Sequence, residues 1–265
     1  MKSLFILSLP RSLSTLTFRV VRDALGLREP AWAEIGEILN YDLHTLSNWP
    51  KLSDSNRKFL TRDRDPTRFT NVLEFLDQVA NVEGYIYKDV VNPFVMAEWP
   101  GLKQFRVLKI ERDLAEVVFA LQNRGWHYVR LAAPPNPTIG SRASPAFVDG
   151  YLWSVVGRRL LRERWHGRAT AMLCTDAMIL GLLRAERVLA RIPGESVQYD
   201  DLIAGEDALQ QAMVRMYPQA VIGPLRYIDD AFRKEREAAT ARKATQSYES
   251  LRKRIEVLRE ALAQT

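Results

Sequence analysis

The stretch Ser3–Leu25, SLFILSLPRSLSTLTFRVVRDAL, decides the fold. A short apolar run ends at Leu9 and Pro10, a basic turn rich in hydroxyl groups follows, and residues with helical spacing begin at Thr15. A strand, turn and helix in this order place the unpaired N–H groups and the positive dipole end of the helix at the edge of a sheet. The stretch therefore predicts a binding site for an anion such as phosphate or sulfate.

The side chains of the turn suit the same prediction. Arg11 can hold an oxyanion through two hydrogen bonds, and Ser12, Ser14 and Thr15 can donate to it through their hydroxyl groups. The turn lacks the glycines of a Walker loop and of a dinucleotide-binding turn. The competing interpretation is a helix that is merely capped by Ser12 or Ser14, with Arg11 in solvent. The turn alone leaves both interpretations open.

The rest of the chain alternates between short apolar runs and segments with helical periodicity. Strands are predicted at residues 3–9, 85–88, 105–110 and 196–199. Helices are predicted at residues 15–25, 69–82, 114–121 with Asp113 as N-cap, 147–165, 175–190 and from 206 onward. This rhythm predicts an α/β fold with a mostly parallel central sheet covered by helices on both faces.

We expect one domain over residues 1–265. Residues 28–66, which would include a helical cap, and residues 130–146 are loop-like and are predicted to surround the substrate. Residues 229–265 are predicted to form a C-terminal helical extension, because Leu251, Ile255, Leu258 and Leu262 share one stripe. That stripe fits a helix that docks on the body of the protein or one that pairs in a homodimer.

Composition limits the class of protein. With 265 residues and 47% hydrophobic residues, the chain can bury a core of its own. The net charge of +6 comes from 38 basic and 32 acidic residues, a mixture that favours a small anionic partner over nucleic acid. The single cysteine, Cys174, excludes an internal disulfide, so we expect a reducing compartment such as the cytoplasm. We expect neither a signal peptide nor a membrane span, because the apolar runs are too short.

Several segments resemble the sulfotransferase family. SLPRSLSTL is similar to the family's 5'-phosphosulfate loop, Pro-Lys/Arg-Ser-Gly-Ser/Thr-Thr, with Leu13 where glycine is usual. FRVLKIERDLAEVVFAL resembles the 3'-phosphate segment, with Arg112 at the arginine position. VQYDDLIAG resembles a later strand and turn, with Tyr199 at the tyrosine position, and Lys88 matches a lysine found in several members. The resemblance spans roughly residues 3–205 and each motif is weak when taken alone, so its weight lies in the ordered set.

The resemblance implies a P-loop NTPase-like fold and transfer of a sulfuryl group to a hydroxyl of a small molecule, lipid or sugar. The donor would be 3'-phosphoadenosine 5'-phosphosulfate, PAPS, without a metal. Charge developing at the donor would be stabilised by Arg11 and Lys88. The residues implied to bind the donor are Arg11, Ser12, Leu13, Ser14, Thr15, Arg112 and Tyr199.

The resemblance also suggests a general base. Glu34 is favoured, because bacterial members that sulfate sugars or lipids carry a catalytic glutamate in a Glu-Pro segment after the first helix, and Glu29-Pro30 resembles that segment. Glu29, His44 and Asp89 are the alternatives.

Other positions match the family less closely. Val90 stands where animal cytosolic members have a catalytic histidine, and Ala120 stands where members usually have serine. Arg242 and Lys243 could correspond to a basic C-terminal segment that closes over the 3'-phosphate.

Two other classes of function are also compatible with the anion turn. One is a metal-dependent nucleotide kinase or NTPase with a degenerate loop. The other is a basic binding module without catalytic activity, which would use its C-terminal helix as an interaction arm.

Overall fold

The computed structural model describes residues 1–31, 33–38, 76–77, 80–90, 93–123, 170–225 and 228–263. The strands in these ranges are β1 (Leu4–Ser8), β2 (Ile86–Asp89), β3 (Arg106–Glu111) and β4 (Glu195–Gln198). They form an all-parallel sheet in the order β2-β1-β3-β4. The predicted α/β class and the four predicted strands are confirmed.

Helices connect and cover these strands. They are α1 (Ser14–Leu25), α2 (Pro93–Glu98), α3 (Leu114–Asn123), α4 (Thr170–Arg191), α5 (Tyr199–Ala204), α6 (Asp207–Met216), α7 (Ile228–Lys243) and α8 (Gln246–Ala263). Two short 3₁₀ helices span Glu34–Gly36 and Pro100–Gln104. Within the described ranges, no helix combines the length and the apolar character that crossing a membrane requires.

Most of the predicted helices that can be compared are confirmed. Asp113 caps α3, since its Oδ1 accepts hydrogen bonds from the N–H groups of Ala115 at 2.9 Å and Glu116 at 3.2 Å. The turn expected after β4 is instead the short helix α5, which begins directly at Tyr199. Residues 80–82 are not helical, so the predicted end of the 69–82 helix is wrong. The predicted helix at 147–165 lies outside the described residues.

Alternation along the strands divides the core into two layers. Phe5 and Leu7 of β1 pack on one face of the sheet with α3, α4 and α8. Leu4 and Ile6 pack on the other face with α1, α5 and α6. Successive strand residues point to opposite faces, so the apolar run of β1 is buried on both sides.

The strand order creates a crevice at the carboxyl edge of the sheet. From β1 the chain continues to β2 on one side, whereas from β3 it continues to β4 on the other side. The connections that leave β1 and β3 therefore diverge, which is the arrangement that leaves a ligand crevice in open α/β sheets. The turn after β1 and Arg112 after β3 both lie at this crevice.

The tail forms two helices, α7 and α8. The predicted stripe lies on α8, and its members Leu251, Ile255, Leu258 and Leu262 are all buried. They belong to the same core layer as Phe5 and Leu7 of β1. Helix α8 thus docks on the body of the protein, which was one of the two predicted arrangements. Homodimerisation stays a prediction.

Candidate anion-binding site

The turn between β1 and α1 follows a backbone path that favours glycine. Leu13 has φ +58° and ψ +17°, and Arg11 has φ +65°, so both lie in the left-handed region. For an L-residue this conformation costs about 1–2 kcal/mol. Leu13 therefore adopts the conformation that glycine would take without strain.

The start of α1 leaves backbone donors available. Leu13 is the N-cap, and its side chain makes no capping hydrogen bond. The N–H of Thr17 donates to the carbonyl of Leu13 at 3.0 Å, which closes the first turn of the helix. The N–H groups before Thr17 in α1 have no acceptor within the helix. Neither Ser12 nor Ser14 is the N-cap, so the capping interpretation is wrong on that point, whereas Arg11 is exposed, as the same interpretation expected.

Two hydroxyl groups near the turn are buried without partners. Ser8 ends β1 and Ser12 lies in the turn, and each is almost completely buried. Among the described residues, neither Oγ has a hydrogen-bond partner. Leaving a buried hydroxyl unsatisfied costs about 1–3 kcal/mol. Unused donors of this kind beside free helix N–H groups are suited to an oxyanion.

Lys88 is buried at the carboxyl end of β2, with its side chain 2% exposed. Its Nζ donates a hydrogen bond to Thr15 Oγ1 at 2.7 Å and forms an ion pair with Glu37 Oε1 at 2.6 Å. Burial lowers the pKa of Lys88, and the carboxylates of Glu37 and Asp89 partly oppose that effect. Lys88 is therefore not a solvated charge at the end of a strand, because its amine contacts the first turn of α1.

Glu37 reaches Lys88 because residues 28–31 and 33–38 lie along β2. Arg28 forms a parallel bridge with Tyr85, just before β2 begins. At Gly36, with φ +69°, an added Cβ would come within 2.5 Å of the Phe18 ring. Only glycine fits this close approach without displacing Phe18. The segment ends with a carboxylate in the site that sequence reasoning did not select, since no spacing motif links Glu37 to Lys88.

The predicted general bases fall in different places. Glu34 begins the 3₁₀ helix three residues before Glu37, and its side chain lies outside the described part of the structure. Glu29 pairs with Arg22 at 2.8 Å, in the last turn of α1 and away from the anion turn. Asp89 is buried at the end of β2, opposite Leu7 of β1. His44 lies outside the described residues.

Arg112 is buried where β3 ends and contacts the anion turn directly. Its Nη1 donates to the backbone carbonyl of Arg11. Its Nε donates to Glu116 Oε2 at 3.0 Å, and Glu116 is fully buried one helical turn along the chain. The guanidinium carbon lies 3.9 Å from the centre of the Tyr199 ring. Arg112 thus joins the turn after β1 to the residues after β3 and β4.

Basic residues at the end of α7 complete the surroundings of Arg112. Arg242 Nη2 lies 2.6 Å from Glu235 Oε1, which also accepts a hydrogen bond from the Tyr199 hydroxyl. Lys243 Nζ lies 2.9 Å from Asp200 Oδ2 and 3.5 Å from Glu116 Oε1. The structure therefore brings Arg242 and Lys243 to Arg112, as the resemblance implied for the tail.

Burial also affects the tyrosine in this cluster. It raises the pKa of Tyr199; the cation of Arg112 opposes the rise, and the hydrogen bond to Glu235 adds to it. The phenol therefore stays protonated at neutral pH and acts as a hydrogen-bond donor. Glu235 and Glu116 are the members of this cluster that sequence reasoning missed. The i, i+4 spacing from Arg112 could have revealed Glu116.

A cavity of about 620 Å³ opens beside this cluster at the carboxyl edge. Arg112 and Tyr199 line it together with Leu9 from the end of β1. A second cavity, of about 910 Å³, lies near the amino ends of β3 and β4 and includes Arg106 and Glu195. Parallel α/β sheets bind ligands at their carboxyl edge, so the 620 Å³ cavity is the better candidate.

Compared with known proteins, the chain matches no family model, no curated protein and no solved structure. Among the described residues, no three histidine, cysteine, aspartate or glutamate side chains are grouped so that they could hold a metal ion.

Proposed function

We propose that this chain transfers a sulfuryl group from PAPS to a hydroxyl of a small-molecule, lipid or sugar acceptor. The observation that carries the proposal is the hydrogen bond from Arg112 to the backbone carbonyl of Arg11. It makes the turn after β1 and the cationic cluster after β3 neighbours in one crevice. A donor with phosphate groups at both ends of a ribose needs two such anion sites side by side.

The turn fits the sulfated end of the donor. Ser12 offers a buried hydroxyl with no hydrogen-bond partner among the described residues, and α1 offers free N–H groups. Lys88 supplies positive charge beside the same helix turn, and Arg11 is an exposed residue of the turn between β1 and α1. In our proposal these groups hold the 5'-phosphosulfate, and Lys88 stabilises the charge that develops on the leaving phosphate oxygen.

The Arg112 cluster fits the 3'-phosphate. Arg112, Tyr199 and Arg242 all direct donors to a single carboxylate oxygen, that of Glu235 Oε1. Convergent donors that already hold one oxyanion have the geometry to hold another. We therefore assign the 3'-phosphate to this cluster.

The reaction requires a base for the acceptor hydroxyl. The bond between sulfur and the donor phosphate breaks, a bond from sulfur to the acceptor oxygen forms, and the hydroxyl proton passes to a carboxylate. We propose Glu37 for this role beside the earlier candidate Glu34, because its carboxylate lies 2.6 Å from Lys88 and is partly exposed. A carboxylate held beside the lysine that stabilises the leaving group is well placed to meet the incoming hydroxyl.

A cytoplasmic location stays a prediction.

The transfer activity is tested with PAPS and a mixture of small metabolites. We expect mass spectrometry to detect a species that gains one sulfuryl group only when both PAPS and the protein are present. Lys88→Met should abolish this product, whereas the matched change Lys103→Met, on an exposed residue of the 3₁₀ helix 100–104, should preserve it. Intact PAPS and no sulfated product after incubation with the wild type would contradict the proposal.

A further inference from the structure

Three hydrogen-bond donors converge on one oxygen of Glu235. The Tyr199 hydroxyl donates to Oε1, Arg242 Nη2 lies 2.6 Å from it, and Arg112 Nη2 lies 3.5 Å from it. The donors come from α5, from the end of α7 and from the end of β3. Donors that converge on a single oxygen in this way have the geometry of an oxyanion site.

Arg112 is held in place by contacts other than Glu235. Arg112 is 2% exposed and is fixed by Glu116 and by the carbonyl of Arg11. Arg242 Nε is buried and has no hydrogen-bond partner among the described residues, so part of its donor capacity is unused. Glu235 itself is 24% exposed and can turn toward solvent by rotating its side chain. Arg112 can therefore stay in place when the Glu235 side chain turns away.

The charges in the cluster favour a phosphate that replaces the Glu235 carboxylate over a phosphate that binds beside it. Arg112, Arg242 and Lys243 face the carboxylates of Glu116, Glu235 and Asp200, so the cationic and anionic groups balance. A phosphate dianion added to this balanced set would leave it with an excess of negative charge. Removing the Glu235 carboxylate relieves that repulsion, whereas Glu116 is fully buried and cannot leave.

We propose that Glu235 is an internal occupant of this oxyanion site and that a phosphate monoester dianion must displace it in order to bind. The inference rests on the proposed function where the monoester is the 3'-phosphate of the donor. Displacement lowers the apparent affinity in proportion to the fraction of molecules whose site is vacant. Glu235 would thus weaken the retention of the bisphosphate product and favour its release.

The inference is tested by titration calorimetry on Glu235→Gln, which removes the charge and keeps the shape of the side chain. We expect adenosine 3',5'-bisphosphate to bind about tenfold more tightly to this variant than to the wild type. Adenosine 5'-monophosphate, which lacks the 3'-phosphate, should show no gain. Glu237→Gln is the matched control, because Glu237 lies on the same helix, is 67% exposed and pairs with Arg233. That variant should bind the bisphosphate as the wild type does.

Each result separates this inference from the proposed function. Unchanged or weaker binding of the bisphosphate by Glu235→Gln would overturn it, provided that circular dichroism shows a folded variant. Glu235→Asp is a second variant for the case in which glutamine disturbs packing. Its shorter side chain reaches the donors less well, so we expect its affinity for the bisphosphate to lie between those expected for the wild type and for Glu235→Gln. If no variant binds nucleotide, the proposed function fails. Inorganic phosphate then tests the site alone, since tighter phosphate binding by Glu235→Gln supports the inference and equal binding contradicts it.

Discussion

Lys88 Nζ donates a hydrogen bond to Thr15 Oγ1 at 2.7 Å, which joins the end of β2 to the first turn of α1. Thr15 and Lys88 are 73 positions apart in the chain. The bond places a buried cation beside the helix end whose dipole is positive, an arrangement that is costly unless an anion shares the site. Glu37 supplies one negative charge to Lys88, and the proposed donor would supply more.

The contribution of this bond is measurable by a double-mutant cycle. We expect Lys88→Met and Thr15→Val to be coupled by about 1–2 kcal/mol in the free energy of unfolding, because the bond is charge-assisted and shielded from solvent. Urea denaturation of the wild type, both single variants and the double variant gives the coupling. Thr240, whose hydroxyl bonds to the backbone of Arg236 on exposed α7, is the matched control. Thr240→Val should show no coupling to Lys88→Met, and an additive cycle at Thr15 would show that the bond contributes nothing.

The strained conformation of Leu13 predicts an unusual order of stability between two variants. Leu13→Gly and Leu13→Ala both remove the leucine side chain beyond Cβ, so the two variants lose nearly the same packing and their stabilities can be compared directly. Glycine adopts a positive φ without strain, and we expect Leu13→Gly to be more stable than Leu13→Ala by about 1 kcal/mol. Leu16, in the first turn of α1, should show the opposite order, because alanine is the better helix former there. Thermal unfolding measures both pairs, and a more stable alanine variant at position 13 would refute the left-handed backbone.

The contacts of Arg112 require a guanidinium and not merely a positive charge. A lysine has a single nitrogen and cannot reach Glu116, the carbonyl of Arg11 and Glu235 together. We expect Arg112→Lys to lower the free energy of unfolding by about 2–4 kcal/mol, because Glu116 is left buried without its partner. Arg233→Lys changes an arginine that is 56% exposed, and it should alter stability by less than about 0.5 kcal/mol. Equal effects of the two substitutions in urea denaturation would rule out the Arg112 network.

Acid should weaken the contribution of Glu235 to stability. Burial raises the pKa of Glu235, but the hydrogen bond from Tyr199 and the cations of Arg242 and Arg112 outweigh it, so the pKa is lowered from 4.5. A lowered pKa means that the stabilisation is fully present above pH 4.5 and is lost as the pH falls through the folded value. The difference in unfolding free energy between the wild type and Glu235→Gln should therefore be constant near neutral pH and shrink in acid. A difference that grows below pH 4.5 would show that the pKa is raised instead.

The sheet could be predicted from the sequence because its signals are local. Short apolar runs mark β1 and β3, short β-prone segments mark β2 and β4, and helical periodicity between them implies parallel strands. The turn after β1 could also be selected, from its basic and hydroxyl-rich residues between a strand and a helix, whereas Arg112 could be selected only through the resemblance to sulfotransferases.

The partners of the site residues could not be predicted, since they depend on the path of the chain. Glu37 reaches Lys88 only because residues 28–31 and 33–38 lie along β2, and Glu235 lies 123 positions from Arg112 on a helix with no motif. The capping interpretation was wrong for a related reason. The sequence gives no sign that Leu13 would take the left-handed conformation and move the N-cap away from the serines.

Isothermal titration of the wild-type protein with adenosine 3',5'-bisphosphate and with ATP, each with and without Mg²⁺, distinguishes the proposed donor site from its rivals. The two anion sites predict saturable binding of the bisphosphate that does not depend on magnesium. Arg112→Ala should weaken that binding strongly, because a buried guanidinium with charge-assisted contacts is lost. Binding of ATP alone, and only with Mg²⁺, would contradict the assignment and favour a nucleotide kinase or NTPase.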